Sequence, residues 1–174
     1  MVPGLIYRML RETSPRLLWK FCWNFGWKGM RAVKAFERRK KSGGNFPAFL
    51  VISLTNRCNL SCQGCWVSRT SPANELSLEQ VDRIIVECKK RGSFFFGLLG
   101  GEPLLYPHLF ELLGKHPDCY FQIFTNGTLL TREVAEKFKY LGNVTPLISI
   151  EGKDSIADVR RGGKDVYRNA LEAL

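Results

Sequence analysis

Three cysteines fall within eight residues, in the run Cys58-Asn59-Leu60-Ser61-Cys62-Gln63-Gly64-Cys65. Thiolates are soft ligands, suited to zinc or to an iron–sulfur cluster. A complete [4Fe–4S] site takes four cysteines and structural zinc takes four Cys or His ligands, so three thiolates leave one coordination position unfilled. An open position is where a substrate can bind. The competing reading is zinc completed by a distant His108, His116, Cys88 or Cys119. Cys88 falls on the apolar stripe of a helix, where a free cysteine behaves as a small hydrophobe, and neither histidine sits in a paired-ligand motif. Spacing therefore ranks iron–sulfur ahead of zinc, and the two-residue spacing of bacterial ferredoxins is a poorer match.

Such a loop needs a scaffold. The 174 residues, 45% of them hydrophobic, suffice to bury a core. Lys40-Lys41-Ser42-Gly43-Gly44-Asn45 reads as a linker, which divides a basic, aromatic-rich helical segment (1–46) from the remainder (47–174). Ala48–Leu54 is a short apolar run of the kind expected for a strand buried on both faces, and it leads straight into the cysteines. Ser77 with Gln80 forms a capping box before the stripe Leu78, Val81, Ile84, Ile85 and Cys88, and Gly92 ends that helix. Residues 94–99 are a second strand, followed by a short helix from Pro107 stopped at Gly114. Residues 120–124 are a third strand. Thr131 caps a helix with Val134, Ala135, Phe138 and Leu141 facing inward before Gly142, residues 146–150 are a fourth strand, and a last helix-like stretch runs to Leu174. Strands alternating with helices imply parallel βα units with right-handed crossovers. The expected fold is α/β, a partial (β/α) barrel with about four strands. A closed eight-stranded barrel takes about 250 residues, and a C-terminus inside an uncapped helix reads as a fragment of something longer.

The three-then-two spacing after the first strand, Thr55-Asn56-Arg57-Cys58 through Cys65, resembles the signature loop of the radical S-adenosylmethionine (SAM) superfamily. Gly100-Gly101-Glu102-Pro103 after the second strand is similar to that family's glycine–glycine–glutamate element. Thr125-Asn126-Gly127, Ser149-Ile150-Glu151-Gly152, Asp158 and Arg161-Gly162 follow in family order, so the resemblance spans residues 48–174. It implies a radical SAM enzyme whose [4Fe–4S] cluster is held by Cys58, Cys62 and Cys65, with SAM on the fourth iron. An external one-electron reductant, flavodoxin- or ferredoxin-like, would feed the cluster. SAM would be cleaved to a 5′-deoxyadenosyl radical that abstracts hydrogen from an unknown substrate. Gly100 and Gly101 would let backbone approach the methionine end, Glu102 would accept from its amino group, and Pro103 belongs to the same cofactor-binding element. Asn126, Ser149 and Glu151 are candidates for ribose or methionine contacts, or else cap turns. Arg161 resembles an arginine near the SAM carboxylate, although Arg160 carries the same charge. The family often has an aromatic residue just before the third cysteine. This chain has Gly64 there and Trp66 just after, so Trp66 is the candidate for adenine contact or cluster shielding.

Charge is distributed unevenly. Residues 1–46 hold eleven Lys or Arg against Glu12 and Glu37, and so carry nearly all of the net +10. The globular part is therefore not a basic nucleic-acid binder. Trp19, Trp23 and Trp27 recur every four residues among Lys and Arg. Such a helix either packs against the barrel, the preferred reading, or lies on an anionic membrane surface. Clustered cysteines without a signal peptide favour a reducing cytoplasm, and the apolar runs fall short of the roughly 20 residues that span a bilayer.

Overall fold

The computed structural model describes residues 7, 11–67 and 74–173. Helix α1 (Pro15–Lys20), a π-helical segment (Phe21–Trp27) and α2 (Lys28–Lys41) precede the sheet. The βα units are β1 (Leu50–Ser53), α3 (Leu78–Lys90), β2 (Phe95–Leu99), α4 (Leu109–Lys115), β3 (Tyr120–Thr125), α5 (Arg132–Leu141) and β4 (Val144–Ile148). Two helices follow, α6 (Asp154–Arg161) and α7 (Val166–Glu172). The last expected helix is α7; Leu174 lies outside the described residues, and α6 is an additional element. All four strands are parallel and adjacent in chain order. The fold is thus the open α/β sheet that the alternation of elements required.

Helix ends follow the local chemistry. Ser77 Oγ accepts from the Gln80 N–H, and the Gln80 side chain accepts from the Ser77 N–H at 2.8 Å, completing the capping box of α3. Thr131 caps α5 through the Val134 N–H, and Gly142 closes it at φ +66°. By contrast α4 runs through Gly114 to Lys115, because an isolated glycine lowers helix propensity without ending a helix that packs Leu109, Leu112 and Leu113 into the core. Ala135 is exposed, so the inward face of α5 is narrower than expected.

One face of the sheet carries Ile52, Leu54, Phe96, Leu98, Phe121 and Ile123, all buried against Val81, Ile85 and Phe138 of the crossover helices. The opposite face is the inside of the half-barrel. Val51 is half exposed there and Phe49 and Leu147 are open to solvent, so β1 is not buried on both faces. Four strands cannot close the barrel over their own inner face. Strand β4 begins at Val144, two residues earlier than expected. The Asn143 carbonyl and the Ser149 N–H bond to β3, so alternate residues face the open edge, and Pro146 sits where no N–H is needed.

The N-terminal segment lies across the N-terminal ends of the strands. Lys20 Nζ, Asn24 Nδ2 and Lys28 Nζ donate to the carbonyls of Leu141, Pro117 and Asp118 at 2.6, 3.2 and 2.6 Å. The Phe21 and Phe25 rings pack on Tyr120, and Phe25 also on Phe95. Packing against the barrel is therefore realised through Phe21, Asn24 and Phe25. It leaves Trp19, Trp23 and Trp27 outside.

Candidate functional site

The three cysteines sit on the loop that leaves the C-terminal end of β1, the end at which parallel α/β sheets place their sites. Cys58 and Cys62 are half-buried and Cys65 is exposed. The Leu60 N–H points at Cys58 Sγ at 3.4 Å, and the Cys65 N–H donates to the Cys62 carbonyl at 3.3 Å to close a turn.

Two glycine pairs grip this loop from opposite sides. From β2, the Gly101 and Glu102 N–H groups donate to the carbonyls of Thr55 and Arg57 at 2.7 and 2.8 Å. A Cβ at Gly100 would lie 2.4 Å from the Thr55 oxygen, and one at Gly101 would lie 2.2 Å from the Arg57 oxygen. From the end of α6, the carbonyls of Arg161 and Arg160 accept the Ser61 and Gln63 N–H groups at 3.0 and 2.7 Å. Here a Cβ at Gly162, where φ is +58°, would meet Ser61 Cβ at 2.6 Å, and one at Gly163 would meet Leu60 Cδ2 at 2.7 Å. The glycines therefore make room for the cysteine loop itself, while their backbone stays at the C-terminal end of β2 beside that loop. A third tie comes from the turn after β3. Asn126 Nδ2 donates to Asn59 Oδ1 at 2.9 Å, and Asn59 Nδ2 donates to Thr128 Oγ1 at 2.7 Å.

Glu102 is held inside the body. Its carboxylate has no exposed atom. It accepts from Thr125 Oγ1 at 2.7 Å, the Asn126 N–H at 2.9 Å and the Leu104 N–H at 3.1 Å. Burial raises its pKa above the usual carboxylate value, opposed by these donors and by the nearby Arg161. In this arrangement Glu102 locks the end of β2 to the turn after β3. Pro103, also buried, opens a single 3₁₀ turn (Pro103–Leu105) behind it.

Arg161 is 5% exposed, and its Nε has no partner among the described residues. One guanidinium nitrogen lies 3.5 Å from Glu151 Oε1, while Arg160 Nε lies 2.6 Å from Glu151 Oε2. A buried guanidinium N–H without an acceptor is costly, and of the two arginines it is Arg161 whose Nε is left in that state among the described residues. Glu151 is exposed and already engaged by both arginines. The Ser149 N–H is used by the Thr125 carbonyl at 2.9 Å, and Trp66 projects into solvent at 69% exposure. Asp158 caps α7, accepting the Asp165 and Val166 N–H groups at 2.8 Å each.

The distant ligands needed for a zinc knuckle lie elsewhere. Cys88, Cys119 and His116 are buried toward the N-terminal ends of the strands, and burial pushes the Cys119 thiol up to about 12. His108 stands exposed beside Glu111. Three thiols on one backed loop, beside a buried guanidinium whose Nε has no partner among the described residues, fit a three-cysteine cluster that shares its remaining position with an anionic co-substrate. Asn59, Thr128 and Gly163 escaped the sequence reading. The Gly162–Gly163 doublet was legible as a second copy of the Gly100–Gly101 device; the two polar residues carried no signal apart from their neighbours.

Comparison with known proteins agrees with this geometry. The sequence profile of the radical SAM superfamily matches residues 52–174. The AdoMet-dependent heme synthase of Methanosarcina barkeri is 36% identical over 135 residues, which cover 75% of this chain and 39% of that protein. The sporulation killing factor maturation protein SkfB of Bacillus subtilis is 33% identical over 138 residues, covering 75% and 34%. The crystal structure of Streptococcus suis SuiB bound to precursor peptide SuiA superposes with a TM-score of 0.64 at 25% identity, covering 80% of this chain and 33% of that one. The chain spans a little over a third of the length of these curated relatives. With its cysteine loop, its half-barrel and its relatives pointing the same way, the chain belongs to the radical SAM superfamily, whose cofactors are a [4Fe–4S] cluster and SAM.

Proposed function

We propose that this chain supplies the cofactor-binding half of a radical SAM enzyme. Cys58, Cys62 and Cys65 hold the cluster, and Arg161 binds the SAM carboxylate. When bound, cluster and SAM together supply a one-electron reductive cleavage that delivers a 5′-deoxyadenosyl radical to the substrate. What the chain's own residues contribute is placement. Gly100–Gly101 and Gly162–Gly163 hold the loop, the backbone of residues 100–103 and 149–151 borders the ligand, and Trp66 covers its solvent side. Glu102 acts from behind as a positioning residue. The electron comes from an external flavodoxin- or ferredoxin-like protein that reaches the exposed Cys65 edge. The half-barrel's inner face, where Phe49, Val51 and Leu147 are open, takes the substrate.

The observation that carries this reading is the buried Arg161 Nε, without a partner among the described residues, beside a loop whose three thiols are backed on both sides. Two of the relatives carry a maturation protein's name or a bound precursor peptide, which supports a peptide as the first substrate to assay. The test is anaerobic reconstitution with iron and sulfide, then dithionite and SAM, beside Cys62→Ala. Formation of 5′-deoxyadenosine by the wild type alone upholds the proposal. A zinc-only product, or a cluster that leaves SAM intact, defeats it.

A further inference from the structure

The tryptophans of the N-terminal segment form an ordered surface that the cofactor site does not use. Trp19, Trp23 and Trp27 are 63%, 46% and 49% exposed. Their rings stack in a row, with centroids 5.9 and 6.4 Å apart and planes within 4° and 20° of parallel. A spacing of four residues drifts around an α-helix. The π-helical segment at Phe21–Trp27 has wider turns, which cancel the drift and keep the three indoles in line. Among the described residues, no hydrogen bond takes up the three indole N–H groups.

Arg31, Lys34 and Arg38 continue along the exposed side of the same helix run, and none of them has an ion pair among the described residues. Other basic side chains of this segment are committed. Lys20, Lys28 and Arg39 are spent on carbonyls of the barrel and its linker. The helix run is therefore clamped to the body along one flank and carries three indoles followed by three free cations outside it. The three indoles stand on the outer side of the run, stacked and 46–63% exposed, with cations beyond them, a charge and apolar pattern that suits an anionic surface.

We propose that this flank is a peripheral membrane contact, in which the indoles sit at headgroup depth and Arg31, Lys34 and Arg38 meet the phosphates of an anionic bilayer. Indoles combine an apolar body with a donor that headgroup acceptors can take, and flanking cations select anionic lipid. No described helix is long and apolar enough to cross a membrane, so the contact is interfacial. The half-barrel then rests on the bilayer by its N-terminal strand ends, with the cysteine loop directed away from it.

The test is flotation of the reconstituted full chain with vesicles of phosphatidylcholine alone and of phosphatidylcholine mixed with phosphatidylglycerol. The chain is expected to float with the mixed vesicles, to stay behind with the neutral ones, and to release as salt is raised. Trp19→Ala/Trp23→Ala/Trp27→Ala abolishes flotation. Neutralising three cations by Arg31→Gln/Lys34→Gln/Arg38→Gln weakens vesicle affinity roughly a hundredfold, at the scale set by one surface cation each. Both variants keep wild-type iron content, since neither touches the cysteine loop. In a Trp66→Phe background, brominated lipid quenches the remaining tryptophans only if they enter the bilayer. Absence of flotation on mixed vesicles, equal flotation of wild type and the tryptophan variant, or a non-floating dimer that the tryptophan variant dissolves would each overturn the proposal, the last by assigning the ladder to a second copy.

Discussion

Replacing Gly101 by alanine is the sharpest probe of how the cysteine loop is held. The new Cβ would lie 2.2 Å from the Arg57 oxygen, 2.5 Å from its carbonyl carbon and 2.9 Å from the Asn56 oxygen. All three are backbone atoms directly before Cys58, so no side chain can swing aside. To regain ordinary contact, the loop must retreat by roughly 1 Å. That retreat strains the Gly101–Thr55 and Glu102–Arg57 hydrogen bonds, 2.7 and 2.8 Å long. Losing both costs about 2 kcal/mol at roughly 1 kcal/mol each. A 1 Å displacement of reacting groups costs about a hundredfold in rate. Gly101→Ala is thus expected to bind less iron per chain on reconstitution, to form 5′-deoxyadenosine about a hundredfold more slowly, and to melt earlier as the apoprotein. Gly29→Ala is the control, because nothing lies within 4 Å of its Cβ, and alanine within α2 should stabilise by about 0.5–1 kcal/mol. If Gly101→Ala keeps wild-type iron content and loses only SAM affinity, the glycine serves the ligand after all, and the clamp argument fails.

Other outcomes follow from the same geometry. Gly162→Ala, which meets Ser61 at 2.6 Å, is expected to lose iron as Gly101→Ala does; normal loading would show that the α6 side of the clamp is dispensable. Arg161→Lys should weaken SAM binding by about 10–100-fold, the worth of a hydrogen bond to a charged group, at unchanged iron content, measured by equilibrium dialysis. Cys119→Ser should destabilise the fold by about 1–3 kcal/mol while leaving iron per chain unchanged, because that thiol is wholly buried away from the loop. His116 has its pKa lowered from 6.5, chiefly by burial and then by Lys89. The unfolded chain therefore takes up the proton first, and the contribution of His116 to stability is complete above pH 6.5 and declines as pH falls below it. The slope is at most about 1.4 kcal/mol per pH unit, and His116→Leu should flatten this part of the denaturation profile.

The fold was legible wherever one residue type answers to one physical demand. Ser77 with Gln80, Thr131 and Gly142 mark helix ends because orphan backbone groups must be satisfied there, and the structure uses each in that way. The motif glycines were legible as positions, but what fills the space beside them was not. A sequence shows that a Cβ is missing, whereas only the fold shows that Thr55 and Arg57 occupy its place. Glu102 was legible as an acceptor next to a glycine turn, but not the donors it meets, because Thr125 and Asn126 lie more than twenty residues away in the chain. The tryptophan repeat was read as one stripe with one fate, and the π-helical segment divides it between a packed phenylalanine flank and an exposed indole flank.

The double clamp on the cysteine loop also has a temporal side. The loop is held at residues 55–57 by Gly100–Glu102, about 45 positions later in the chain, and at residues 60–63 by Arg160–Gly163, about 100 positions later. Closing contacts of that span is the slow, entropically expensive part of assembly. During synthesis the three thiols therefore emerge long before the segments that fix their spacing. Until α6 is made and docked, they form a pliable chelate open to any soft metal. A chain halted before residue 160 would present the same cysteines with little power to choose iron over zinc.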